Sequence, residues 1–63
     1  MYVLEWFRGK TLIDSMFAFG EHELNDNKVK LIKKSKKEDT IYISKMNNVY
    51  DKDTLLTKIT KLT

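Results

Sequence analysis

Two short segments of alternating apolar and polar residues flank a charged loop, and this arrangement restricts the fold more than any other feature of the sequence. Residues 28–33 (KVKLIK) place Val29 and Leu31 on one side and Lys28 and Lys30 on the other, as expected for a strand with one solvated face. Residues 40–44 (TIYIS) form a second strand-like segment after the loop at 34–39 (KSKKED). The pattern therefore predicts an antiparallel hairpin at the centre of the chain.

The first third of the chain predicts one strand and leaves the next element open between strand and helix. Residues 2–7 (YVLEWF) are rich in β-branched and aromatic side chains, and residues 8–10 (RGK) supply a turn. Residues 11–19 (TLIDSMFAF) alternate as a strand would, but they also fit a short helix that ends at Gly20. The alternation of the two phenylalanines favours the strand.

Turn-forming residues and one apolar stripe organise the rest of the chain. Residues 25–27 (NDN) predict a hairpin loop, and residues 46–48 (MNN) predict a tight turn before a short closing strand at 49–50. Further on, Asp53 or Thr54 is a candidate N-cap of a C-terminal helix. The apolar stripe of this helix would consist of Leu55, Leu56, Ile59 and Leu62.

Together these elements predict a single small domain over residues 1–63, of the α+β class and mostly β. We expect a small antiparallel meander or barrel of four to five strands with a short C-terminal helix. A chain of 63 residues can bury one core and not two. Since such a core contributes only about 3–5 kcal/mol, self-association is an expected source of added stability, and a homo-oligomer is a candidate assembly.

The sequence contains no cysteine and no long apolar run. The lack of cysteine excludes disulfides, thiolate metal ligands and cysteine nucleophiles, and it is typical of a reducing cytosol. The apolar runs fall short of the roughly 18–20 residues that cross a membrane, and Glu5 stands where a signal peptide has a basic region. We therefore expect a cytoplasmic protein without a membrane partner.

Charge is unevenly distributed along the chain. Residues 1–27 contain two basic and five acidic residues, whereas residues 28–63 contain ten lysines and four acidic residues. Six lysines fall in the predicted hairpin, where they would form a basic ridge able to neutralise phosphates. The ridge consists of Lys28, Lys30, Lys33, Lys34, Lys36 and Lys37. Lysines on an exposed strand also prevent edge-to-edge aggregation, so a merely solvated surface is the alternative interpretation.

Exposed aromatic side chains would add affinity for single-stranded nucleic acid, because bases stack on aromatic rings. Tyr42 lies on the strand beside the predicted ridge and is the first candidate, followed by Tyr2, Trp6 and Tyr50. In so short a chain, however, most large aromatic side chains belong to the core. The single arginine argues against sequence-specific recognition, since arginine is the residue suited to bidentate base contacts.

No residue pattern indicates an enzyme. His22 is flanked by Glu21 and Glu23, but neighbouring residues on a strand point to opposite faces, and one histidine without cysteine gives no metal-ligand spacing. Nothing in the sequence places Ser15 or Ser44 beside a base, and the two isolated glycines form no phosphate loop. We expect no catalytic residue, no metal and no cofactor.

These features favour a non-enzymatic basic module that binds nucleic acid through the lysine ridge, with weak sequence preference. The alternative is a small protein-interaction factor, such as an inhibitor, an antitoxin-like protein or an adaptor of the kind that phages and plasmids encode. It would bind an acidic protein surface through the ridge, or another partner through aromatic and C-terminal apolar side chains. A structural subunit of a symmetric assembly is the third hypothesis.

Overall fold

The computed structural model describes residues 1–46 and 52–60, which form one antiparallel sheet with a helix packed on one face. In chain order the elements are β1 (Tyr2–Arg8), β2 (Thr11–Ala18), α1 (Glu21–Lys34), β3 (Asp39–Met46) and β4 (Lys52–Thr60). The strands lie side by side in the order β2-β1-β3-β4, so β1 and β3 are central. The mostly β composition agrees with the prediction, but the sheet is open and does not close into a barrel.

The N-terminal hairpin agrees with the strands predicted from the sequence. β1 and β2 pair antiparallel along their whole length, beginning with Tyr2 opposite Ala18. The element that the sequence left open between strand and helix is thus a strand. The turn between β1 and β2 contains Gly9 at a φ of 63°, a left-handed conformation that glycine adopts without strain.

The predicted central hairpin is wrong, because residues 21–34 form helix α1. The segment 28–33, predicted as a strand, is the second half of this helix, and the predicted loop at 25–27 lies inside it. The other half of the predicted hairpin does form a strand, β3. It pairs with β1, with Ile43 opposite Leu4, and connects the N-terminal hairpin to the rest of the sheet.

Helical periodicity and terminal charges explain why α1 forms. Leu24, Leu31 and Ile32 recur at the spacing of one helical face, and all three pack against the core. Val29, which a strand would have turned inward with Leu31, is 47% exposed. Acidic residues in the first turn and basic residues in the last turn complement the helix dipole. In the described ranges, no helix combines the length and the apolar character needed to cross a membrane.

The predicted C-terminal helix is also wrong, because residues 52–60 form strand β4. β4 pairs antiparallel with β3, and Ile59 lies opposite Ile41. Thr54, Thr57 and Thr60 recur at every third position of this segment. Their β-branched side chains lose rotamer freedom in a helix and fit the pleated surface of a sheet, which favours the strand.

Several predictions near the C-terminus fall outside the described residues. Met46, the first residue of the predicted turn at 46–48, is the last residue of β3. Asn47 and Asn48, the closing strand predicted at 49–50, and Leu62 of the predicted stripe lie in the ranges 47–51 and 61–63, which the structure does not describe.

The hydrophobic core lies between α1 and one face of the sheet. It contains Leu4, Trp6, Ala18, Leu31, Ile41 and Ile43. Because side chains alternate along a strand, the residues between these core positions point to the other face. No element of the described residues packs on that face, which we call the uncovered face.

A buried carboxylate, Asp39, joins the two central strands to the loop after α1. It accepts hydrogen bonds from Trp6 Nε1 (2.8 Å), from Arg8 Nε (2.9 Å) and Nη2 (3.1 Å), and from the backbone N–H of Lys36 (2.8 Å). The hydrogen-bonded Arg8 guanidinium holds the pKa of this carboxyl well below its usual range. The Arg8 guanidinium also lies 5.9 Å from the Trp6 ring centroid. These contacts fix the loop against the end of β1.

Candidate binding surface

The fold brings lysines from distant parts of the sequence to one end of the molecule. The β1–β2 turn, which contains Lys10, lies at this end, and β3 begins beside it because Asp39 pairs with Arg8. β4 finishes at the same end because Thr60 pairs with Thr40. Helix α1 starts after β2 at the far end and runs back, so its basic last turn arrives here too. We call this surface the basic end; it consists of Lys10, Lys33, Lys34, Lys36, Lys37 and Lys58.

Acidic side chains offset these lysines only in part. Asp39 forms a salt bridge with Arg8, with 2.9 Å between its Oδ1 and the arginine Nε. The two charges cancel, so the pair adds no net charge to this surface. Glu38 is an exposed carboxylate of this end. Glu5 lies opposite Tyr42, at the level of Lys58, and Asp14 lies opposite Trp6, one pair nearer to this end. Glu21 and Glu23 lie in the first turn of α1, at the opposite end. The basic end therefore has a clear excess of positive charge.

The predicted lysine ridge is not one surface. Lys28 and Lys30 are two residues apart on a helix and do not face the same way. Lys28 is half-buried toward the sheet, whereas Lys30 is exposed. The other four predicted lysines belong to the basic end, two in the last turn of α1 and two in the loop that follows. Lys10 and Lys58, which the sequence interpretation did not include, join them there.

A shallow groove of about 550 Å³ crosses the uncovered face of the sheet. β1 and the turn after it contribute Glu5, Phe7 and Lys10 to its lining. Tyr42 and Ser44 of β3 and Leu55 of β4 complete this set. Because Lys10 belongs both to the groove and to the basic end, the groove opens onto the basic end.

Two aromatic rings form the centre of the groove. Phe7 and Tyr42 lie on the two central strands, with ring centroids 5.6 Å apart and ring planes at 84°, a T-shaped pair. Both side chains are half-buried, so part of each ring is accessible. Lys58 Nζ lies 5.7 Å from the Tyr42 ring centroid. At an exposed site such a cation–π contact contributes only about 0.5–1 kcal/mol, so a ligand can replace it.

Ser44 adds a polar group to the apolar part of the groove lining. The residue is 5% exposed, and its Oγ has no hydrogen-bond partner among the described residues. Most buried polar groups in folded proteins are hydrogen-bonded, and an unsatisfied one destabilises the fold. A ligand that supplies a donor or an acceptor would remove this cost.

The predicted apolar stripe is divided between different surfaces of β4. Leu55 is 51% exposed and lines the groove. Leu56 is 48% exposed. It lies at an irregularity in the pairing of β3 with β4, and it has no partner residue on β3. Ile59 packs against the core on the opposite side of the sheet. These side chains would share one face only in a helix. In strand β4 they lie on different surfaces.

Of the two aromatic residues in the groove, the sequence interpretation named Tyr42 and did not name Phe7. The signal for Phe7 is present in the alternation of β1, which sends Trp6 into the core and Phe7 to the uncovered face. Trp6 itself is not available for stacking, because it is buried and donates its indole N–H to Asp39. Tyr2 likewise packs against the core.

The serine and histidine side chains considered for catalysis do not meet. His22 is exposed in the first turn of α1, Ser15 lies on the edge strand β2, and Ser44 lies on the face that α1 does not cover. Within residues 1–46 and 52–60, no group of three histidine, aspartate or glutamate side chains is arranged to hold a metal ion.

No family model, no curated protein and no solved structure matches this chain. The two features that indicate a function are therefore those of the chain itself. They are the basic end and the aromatic groove that opens onto it.

Proposed function

We propose that the protein is a non-enzymatic module that binds nucleic acid through the basic end. The supporting observation is the convergence of lysines from the β1–β2 turn, the end of α1, the loop after it and β4. Each lysine that contacts a phosphate displaces condensed counterions, which favours binding at low salt. Six such side chains on one surface can contact several successive phosphates.

Binding through these residues has weak sequence preference. Lysine acts as a point charge and does not offer the planar bidentate geometry that recognises base edges. The chain has one arginine, Arg8, and its Nε and Nη2 groups already donate hydrogen bonds to Asp39. The contacts of the basic end are therefore with the backbone of the nucleic acid and not with its sequence.

Replacing Lys34, Lys36 and Lys37 together by glutamine is expected to weaken binding by at least about tenfold at low salt. It is also expected to lower the slope of log affinity against log salt concentration by about 1 for each lost phosphate contact. Fluorescence anisotropy of a labelled oligonucleotide, titrated at about 50 and 200 mM salt, measures both quantities.

The matched control replaces Lys28, Lys30 and Lys45 by glutamine. This variant loses the same charge, but Lys45 pairs with Tyr2 at the far end of the sheet and the other two lie within α1. Its affinity is expected to stay close to that of the native chain. If both triple variants lost the same affinity, binding would depend on the net charge of the protein and not on the lysines of the basic end. Absence of binding by the native chain at low salt would reject the proposal.

A protein partner is the second candidate, because apolar side chains are exposed on the uncovered face. Leu12 (48%), Phe17 (52%) and Leu55 (51%) lie on this face, opposite residues of neighbouring strands that also point there. They lie on the two edge strands, β2 and β4, so a partner that contacts all three would span the whole sheet. Association through this face would persist at high salt, whereas binding through phosphate contacts would be lost.

A further inference from the structure

We infer that the groove on the uncovered face binds unpaired bases, so that the protein binds single-stranded nucleic acid in preference to a duplex. This inference rests on the proposed function, since it places bases in the groove beside the lysines that contact phosphates. It assigns to Phe7 and Tyr42 the role of a stacking platform.

The aromatic pair is the first observation that supports a base-binding groove. Phe7 and Tyr42 lie on adjacent central strands and their rings contact each other, which holds both in place. Stacking on such rings tolerates any base, because every base presents a π-face. A platform of this kind therefore agrees with the weak sequence preference expected of the basic end.

The position of the lysines is the second observation, because it gives the groove a charge that complements a nucleic-acid strand. Lys10 lines the groove at the basic end, and the Lys58 ammonium lies over the Tyr42 ring. Lys58 is exposed, so its long side chain can turn from the ring to a phosphate when a base takes its place. A strand with a base on Tyr42 thus has its phosphates within reach of the basic end.

The polar residues of the groove are the third observation. Ser44 has a buried hydroxyl without a partner among the described residues, and it pairs with Leu55, a half-exposed residue that lines the groove with it. The edges of unpaired bases carry the donors and acceptors that would satisfy this hydroxyl. Glu5 lies opposite Tyr42 and adds a second polar side chain to the groove lining.

A duplex cannot use these features. Its base faces are stacked on neighbouring base pairs and its pairing edges are occupied, so only its phosphates reach the protein. The lysines of the basic end bind both forms, and the groove adds affinity for the single strand alone.

The test compares three labelled ligands of equal length: an oligothymidine, the same backbone with abasic sites, and a duplex. The native chain is expected to bind the oligothymidine about tenfold more tightly than the abasic strand, which carries the same phosphates. Tyr42→Leu is expected to lower the affinity for oligothymidine to the abasic level and to leave the affinity for the abasic strand unchanged. Phe17→Leu is the matched control, because Phe17 is exposed on the same face but does not line the groove; its affinities stay at the native level.

Three results separate this inference from the proposed function. If the native chain binds the abasic strand or the duplex as tightly as the oligothymidine, the groove does not bind bases, although lysine-dependent binding would still uphold the proposed function. If Tyr42→Leu remains folded by circular dichroism and loses no affinity, Tyr42 is not the platform. If none of the three ligands binds, both proposals fail.

Discussion

Leu31→Ala is expected to leave little folded protein under conditions in which the native chain is fully folded. Leu31 is fully buried and attaches α1 to the sheet. Truncation of a buried leucine to alanine costs about 2–5 kcal/mol, because transfer free energy is lost and a cavity remains. A core of this size supplies only about 3–5 kcal/mol in total. Urea denaturation followed by far-ultraviolet circular dichroism measures the loss.

Val29→Ala is the control for this prediction. Val29 lies on the same helix but is 47% exposed, and surface substitutions usually change the free energy of unfolding by no more than about 0.5 kcal/mol. If Leu31→Ala were no more destabilising than Val29→Ala, the helix would not pack on the sheet as described.

Asp39→Asn is expected to be among the most destabilising substitutions at neutral pH. The carboxylate accepts hydrogen bonds from the side chains of Trp6 and Arg8 and from the backbone of Lys36. An amide keeps one oxygen acceptor, introduces donors where donors already point, and leaves the Arg8 charge without its partner. The urea midpoint at neutral pH is therefore expected to fall well below that of the native chain.

The same substitution is expected to change how stability depends on pH. The pKa of Asp39 in the folded protein lies below its ordinary value of 3.8, mainly because of the hydrogen bond from Arg8. The stabilisation that results is complete above the ordinary value and is lost as the pH falls below it. Urea midpoints measured between neutral and acidic pH should therefore decline less steeply in Asp39→Asn than in the native chain. Glu38→Gln, a change in the adjacent exposed carboxylate, should keep the native decline; an equal effect of both variants would contradict this role of Asp39.

The first half of the sheet could be predicted from the sequence, because β1 and β2 are rich in β-branched and aromatic residues and share a turn at Gly9. The helix could not be predicted from residues 28–33 alone. KVKLIK alternates as a strand does, and it also fits the last turns of a helix whose inner face includes Leu24. The decision depends on a partner for Leu31, which the sheet supplies only in the folded protein.

The C-terminal segment is also ambiguous, but here a segment with helical spacing forms a strand. Leu55, Leu56 and Ile59 have helical spacing, yet the segment pairs with β3 as a strand. Tertiary pairing and the β-branched threonines outweigh that spacing. The consequence for function is direct, because the strand places Leu55 in the groove and Ile59 in contact with the core.

Part of the candidate site could be predicted from the sequence. Tyr42 was a candidate because it lies on the strand-like segment after the lysine-rich one, but that lysine-rich neighbour is helix α1. Tyr42 reaches the groove for another reason, since it lies between two core isoleucines on β3 and its ring points to the other face. The grouping of Lys10 and Lys58 with the lysines after α1 depends on strand order and on the direction of the helix. Neither is encoded in local sequence patterns.

In the proposed binding mode, nucleic acid contacts the basic end and the groove that opens onto it. A heteronuclear amide spectrum of the isotope-labelled protein, recorded as unlabelled oligothymidine is added at low salt, tests this claim most directly. Chemical-shift changes are predicted to concentrate in residues 7–11, 33–38, 42–44 and 55–60, with little change at the start of α1, residues 21–26. Changes centred on residues 21–26, or no change at all, would contradict the account.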